Sequence, residues 1–139
     1  MTRAARKIKD LCAEFGLKLV YAFGSRAREA LACIQGKKQK LSAGASDLDI
    51  GIKSASPLSV NEKVRIAASL EDIFGAGRVD LVVLAEAPAF LALEIVQGEL
   101  LFAADKRDEA EYQLYIMRRA ADLFPFEKAR RRMLLEAHG

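Results

Sequence analysis

Apolar positions along this chain switch between two periods, and the switches divide it into alternating helices and strands. Ala4, Ala5, Ile8, Leu11, Cys12 and Phe15 recur at helical spacing until Gly16 stops them. Leu17–Phe23 is a nearly continuous apolar run, which predicts a strand, and a helix follows from about Arg26 to Ile34. A second strand is predicted over Asp47–Lys53. Pro57 and Ser59 then introduce another amphipathic helix, whose apolar set is Val64, Ala67, Ala68, Leu70 and Phe74. Gly75-Ala76-Gly77 turns the chain into a third strand, Val79–Leu84, and Pro88 starts a helix through Ile95 and Val96 that ends near Gly98. Leu100–Ala103 is a short fourth strand. From Asp108 to Glu136 the pattern is helical, with an interruption expected at Pro125. This order predicts an α/β (α+β) architecture, a small mixed sheet flanked by helices with its active site at an open mouth.

The strand beginning Ser46-Asp47-Leu48-Asp49-Ile50-Gly51-Ile52 carries the strongest chemical signal. Its even positions Leu48, Ile50 and Ile52 point into a core, while Asp47, Asp49 and Gly51 share the opposite face. Two carboxylates side by side repel, and aspartate is a poor strand former, so the arrangement costs stability unless a cation neutralises it. Without histidine or cysteine nearby, a hard ion such as magnesium is the natural occupant. Gly51 is expected to leave room for something bulky. Gly24-Ser25, between the first strand and the helix after it, suits an anion, because glycine admits close backbone approach and the first helical amides are unpaired. Asp80 begins the third strand. If that strand lies beside the one carrying Asp47 and Asp49, three carboxylates and a phosphate-binding turn converge. That is equipment for nucleotidyl transfer, in which two ions about 3.5–4 Å apart hold a triphosphate and activate a hydroxyl.

Competing motifs fall away. Gly75-x-Gly77 lacks the third glycine of a dinucleotide fingerprint, and no GxxxxGK[ST] exists for a P-loop. At 139 residues, with 52% apolar and 29% charged positions, the chain is expected to be one globular domain, residues 1-139. No apolar run reaches transmembrane length, and no signal-peptide stretch opens the chain. The 22 basic and 19 acidic residues leave a net charge of +3, too mild to argue for nucleic acid. Cys12 and Cys33 form no CxxC, which predicts reduced thiols and a cytoplasmic setting. His138 is isolated, and the arginines at 118, 119, 130, 131 and 132 read as a solvated helix face.

Taken together, Gly24-Ser25-Arg26-Ala27-Arg28, Ser46-Asp47-Leu48-Asp49 and Val79-Asp80-Leu81-Val82 resemble the polymerase-beta-like nucleotidyltransferase superfamily. Within it the chain looks most like the minimal nucleotidyltransferases that act as antitoxins beside HEPN-domain toxins. The resemblance implies ATP as donor, magnesium (two ions, with manganese as a substitute) on Asp47, Asp49 and Asp80, and Gly24, Ser25, Arg26 and Arg28 at the nucleotide. It further implies AMP transfer to a tyrosine hydroxyl of a HEPN ribonuclease toxin, in a hetero-oligomer. Other readings stand beside it: transfer to a small hydroxylated molecule, or a catalytically impaired module that inhibits its partner by covering it.

One departure from the family pattern lies between the turn and the aspartates. Residues 26 to 46 intervene, an insertion of about eleven residues that reads as a mobile loop over Cys33–Ala45, and loops absorb such length cheaply. The region from about residue 108 is expected to place Tyr112, Tyr115, Ile116 and Leu123 on the sheet. Phe124, Phe126, Met133, Leu134 and Leu135 are left for a partner or for the chain's own core.

Overall fold

Thr2 opens the first element: its hydroxyl accepts from the Ala5 amide at 3.0 Å, and helix α1 runs Arg3–Phe15 until Gly16 closes it at φ 67°. The structure, a computed structural model, describes residues 1–44 and 46–138; Ala45, which ends the expected loop, Gly139 and the side chain of His138 lie outside the described residues. Strand β1 (Leu17–Phe23) leads through a single turn, Gly24–Arg26, into α2 (Ala27–Ile34). Then come β2 (Leu48–Ser54), α3 (Val60–Phe74), β3 (Val79–Val83), α4 (Ala89–Val96), β4 (Glu99–Ala103) and α5 (Lys106–His138). Helix α3 begins on a capping box in which Ser59 and Glu62 satisfy each other's backbone amides.

Among the described residues the strands form one mixed sheet in the order β3-β2-β1-β4. β1 is antiparallel to both its neighbours, and β2 and β3 are parallel, joined by α3 as a crossover. Central β1 is buried on both faces, which is why its sequence is apolar almost throughout. Val20 and Ala22 join Leu48, Ile50 and Ile52 in a core beneath α1, α2 and α3. Leu19, Tyr21 and Phe23 face the other way, into a second core with Ile95 of α4 and Ile116 of α5. Tyr21 is buried, and its hydroxyl donates to Glu109 at 2.7 Å, tying α5 to the middle of the sheet. Cys12 and Cys33 are free, buried thiols, with burial pushing Cys12 up to about 12.

Several elements differ from the sequence pattern. Val64 is exposed, and the buried stripe of α3 is Ile66, Leu70, Ile73 and Phe74. Two interleaved stripes share Leu70 and Phe74, and the larger side chains take the core. Helix α5 continues through Pro125 instead of breaking there; a missing amide costs one intrahelical bond without ending the helix. Tyr115 and Leu123 are exposed, whereas Ile116 packs as expected. Residues 33 and 34 complete α2, and Leu41 is buried with its amide donating to the Phe74 carbonyl at 2.8 Å, so the expected mobile loop has an anchor in the core. Gly51 does not leave open room. A Cβ there would collide with Ile95, so the glycine lets α4 lie against the sheet. No helix of the described residues is long and apolar enough to cross a membrane.

Candidate active site

The sheet topology brings the predicted site residues to one edge. Because β1 runs antiparallel to β2, its carboxyl end meets the amino ends of β2 and β3. Phe23 is the register partner of Asp49, and Asp49 is the register partner of Asp80. Neighbouring parallel strands are about 4.8 Å apart, so Asp49 and Asp80 project side by side from the α4/α5 face. Asp47 stands one residue before β2, two positions before Asp49.

Gly24 closes in on this row. It has φ 74°, and a Cβ built on it would come within 2.5 Å of Asp49 Oδ2. Only glycine allows the backbone to approach that carboxylate so closely. Ser25 follows, exposed, in the turn that leads into the amino end of α2, with Arg28 exposed in the first turn of that helix.

The electrostatics match this crowding. Burial raises the Asp49 carboxyl above its ordinary range, and the charges of Asp80, Asp47 and Glu94 push it further in the same direction. Asp47 pairs loosely with the exposed Arg78, Nε to Oδ2 3.7 Å. The Arg78 carbonyl accepts from the Leu48 amide at 3.0 Å, holding the start of β2 against that of β3.

Glu94 and Arg78 were not among the residues singled out from sequence. Glu94 shows only as one polar position of an apolar helix, and Arg78 only as the residue between Gly77 and a strand. Arg26, expected at the nucleotide, makes its contacts within the fold. It is buried, its guanidinium bonding the carbonyls of Ser42 and Ser46 and lying 3.5 Å from Glu29. Those bonds turn it towards Ser42 and Ser46.

Three carboxylates with no histidine or cysteine among them suit a hard divalent cation. Among the described residues, no group of three or more acidic, histidine or cysteine side chains is arranged to hold a metal ion. The donors at this edge are oxygens alone, and phosphate oxygens or water would have to complete any coordination shell built on them.

A family model described as "Polymerase beta, Nucleotidyltransferase" matches residues 6–107, a span containing every element of this edge. No curated protein matches the chain. Among solved structures it is similar to a toxin-antitoxin crystallised with AMP-PNP, at 23% identity and TM-score 0.63, covering 96% of each chain. It is also similar to a chain from the MntA-HepT toxin-antitoxin (21%, TM-score 0.62, 96% of this chain and 95% of that one). A third similarity is to the complex of a tri-AMPylated Shewanella oneidensis HEPN toxin with its MNT antitoxin (22%, TM-score 0.62, 96% and 94%). At these identities the likeness is one of fold.

Proposed function

This chain belongs to the polymerase beta nucleotidyltransferase family, and on that premise we propose that it transfers AMP from ATP to a tyrosine hydroxyl of a HEPN-type partner, silencing that partner as an antitoxin in the cytoplasm. The observation that carries the proposal is the register of Asp49 with Asp80, with Gly24 packed against the Asp49 carboxylate. A similar fold stands beside an AMPylated HEPN toxin in one solved complex, which supports the choice of acceptor.

In this reading Gly24, Ser25 and the amino end of α2 hold the β- and γ-phosphates, with Arg28 alongside. Asp47 and Asp49 would hold magnesium, and Asp80 would complete the metal site or take the proton from the attacking hydroxyl. When bound, the metal would neutralise the triphosphate and favour departure of pyrophosphate. The acceptor oxygen attacks the α-phosphorus, the bond to the β-phosphate oxygen breaks, and the hydroxyl proton passes to Asp80 or to water. Gly24, Ser25 and Asp80 are all exposed, so the edge is open to an acceptor as large as a protein side chain.

Labelled ATP, magnesium and a co-expressed helical HEPN partner test the proposal together. Label should appear on a partner tyrosine. Asp80→Asn should slow transfer by at least about a hundredfold while nucleotide binding changes much less. Near-normal transfer by that variant would sink the role given to Asp80. A second reading, inhibition by coverage alone, is favoured by the exposed apolar side chains of distal α5. It predicts that Asp49→Asn still silences the partner with no label transferred.

A further inference from the structure

Arg26 is the one polar or charged residue that the fold buries among the described residues. Its partners explain why. One guanidinium nitrogen donates to the Ser46 carbonyl at 3.2 Å, and the other donates to the Ser42 carbonyl and stands 3.5 Å from Glu29. The Glu29 carboxylate accepts in turn from the Ser42 amide at 2.9 Å and from Lys38 at 3.3 Å, and Lys38 donates to the Ser42 hydroxyl at 2.7 Å. Gly44 lies against the guanidinium, where even a Cβ would sit 3.8 Å away, at ordinary contact.

Ser42 and Ser46 are thus both held by one side chain. Its second point of attachment, Ser46, is the residue immediately before Asp47. A planar fork of five donors can bridge two carbonyls and a carboxylate, which a lysine ammonium cannot do from a single point. We propose that Arg26 is a positioning residue: by fixing the Ser46 carbonyl it sets where Asp47 stands, while its contacts with Ser42 and Glu29 act as the strap that holds the guanidinium in place. This rests on the reading of the aspartates as a metal and nucleotide site. It assigns Arg26 to the backbone behind Asp47, where the sequence pattern suggested the nucleotide.

The test uses the full chain as wild type, Arg26→Gln and Glu29→Ala. Manganese uptake is followed by electron paramagnetic resonance with a non-hydrolysable ATP analogue present. Analogue binding without metal is measured by calorimetry, and hydrogen exchange is followed at the Leu48 amide, which donates to the Arg78 carbonyl at 3.0 Å. Partners that orient metal ligands typically carry 10–100-fold in metal affinity, so Arg26→Gln should weaken manganese uptake by about tenfold or more. It should also speed exchange at the Leu48 amide and leave metal-free analogue binding unchanged.

Glu29→Ala keeps the guanidinium but removes the acceptor for Ser42, and should shift the same two readings by less. Loss of metal-free analogue binding in Arg26→Gln would overturn the proposal, because it would mean direct phosphate contact. So would manganese uptake and exchange equal to wild type. Should Arg26→Gln fail to fold, Glu29→Ala decides, and unchanged exchange and uptake there count against the strap. A wild-type chain that takes up neither manganese nor analogue defeats the reading of the site itself, an outcome distinct from a variant that matches a competent parent.

Discussion

Asp49 carries a charge that the ligand-free fold would be more stable without. Its carboxyl is held above the ordinary value of 3.8, by burial first and by neighbouring acids second. The folded chain therefore keeps that proton more readily than the unfolded chain. The associated stability is fully present below about pH 3.8 and is lost as pH rises through the higher folded value. Asp49→Asn removes the titration. Its ligand-free melting temperature should match wild type near pH 3.5 and exceed it by about 2 °C at pH 7, while nucleotidyl transfer disappears. Equal melting at pH 7 would mean that solvent already screens the three acids. Gly24 sets a second constraint. Gly24→Ala places a methyl against Asp49 Oδ2 at a positive φ, so chemical denaturation should show a loss of about 1–2 kcal/mol, with weaker nucleotide binding. At this scale the aspartates and the Gly-Ser turn were legible in the sequence, because charge within an apolar strand and glycine at a strand end violate local preference and so announce themselves. The backbone contacts of Arg26 and the pairing of Arg78 were not legible for the opposite reason: an arginine beside a loop looks the same whether it faces a ligand or holds a group of its own fold.

At the level of elements, the alternation of periods was enough to predict the strands and their helices, since each strand has a neighbour that buries its apolar face. What the pattern could not supply was which helix lies on which face. Gly51 illustrates the gap: it was expected to make space for a ligand, and it makes space for Ile95 instead. Overpacking of this kind typically costs 1–3 kcal/mol, so Gly51→Ala should destabilise by about that much. Combining it with Ile95→Ala should recover part of the loss in a double-mutant cycle, because the two positions touch. Strict additivity would show that α4 moves aside freely. The inserted segment gives a second case. Loop composition predicted that it could be shortened without consequence, but Leu41 belongs to the core beneath α1, α2 and α3. Leu41→Ala should cost about 2–4 kcal/mol in a denaturant titration. A loss under about half a kcal/mol would return the segment to the status of a free loop.

Over the whole molecule, mass is distributed unevenly: a two-faced sheet with helices on both sides, and a helix that outruns it. α5 has 33 residues, so it is about 50 Å long, and Ala120 is its last buried residue among those described. Beyond it Phe124, Phe126, Met133, Leu134 and Leu135 are exposed, while Arg130 and Arg131 are occupied with Glu127. A chain ending at Leu123 should keep its melting temperature within about 2 °C, because little burial is lost. It should also elute without the proposed HEPN-type partner on gel filtration if that surface is the dock. Co-elution of the short chain with the partner would place the contact elsewhere. The same uncovered stretch has a bearing on how long the free protein lasts. A helical segment with a proline inside it and no tertiary cover has little to hold it shut, so it opens locally far more often than the body does. Where cleavage is slower than reclosing, its rate follows the open population, and the arginines at 130, 131 and 132 offer ready points of attack for trypsin. Brief digestion should trim the solitary chain to a resistant body and spare it when a partner lies along the helix. Survival of the protein would then report on whether that partner is present.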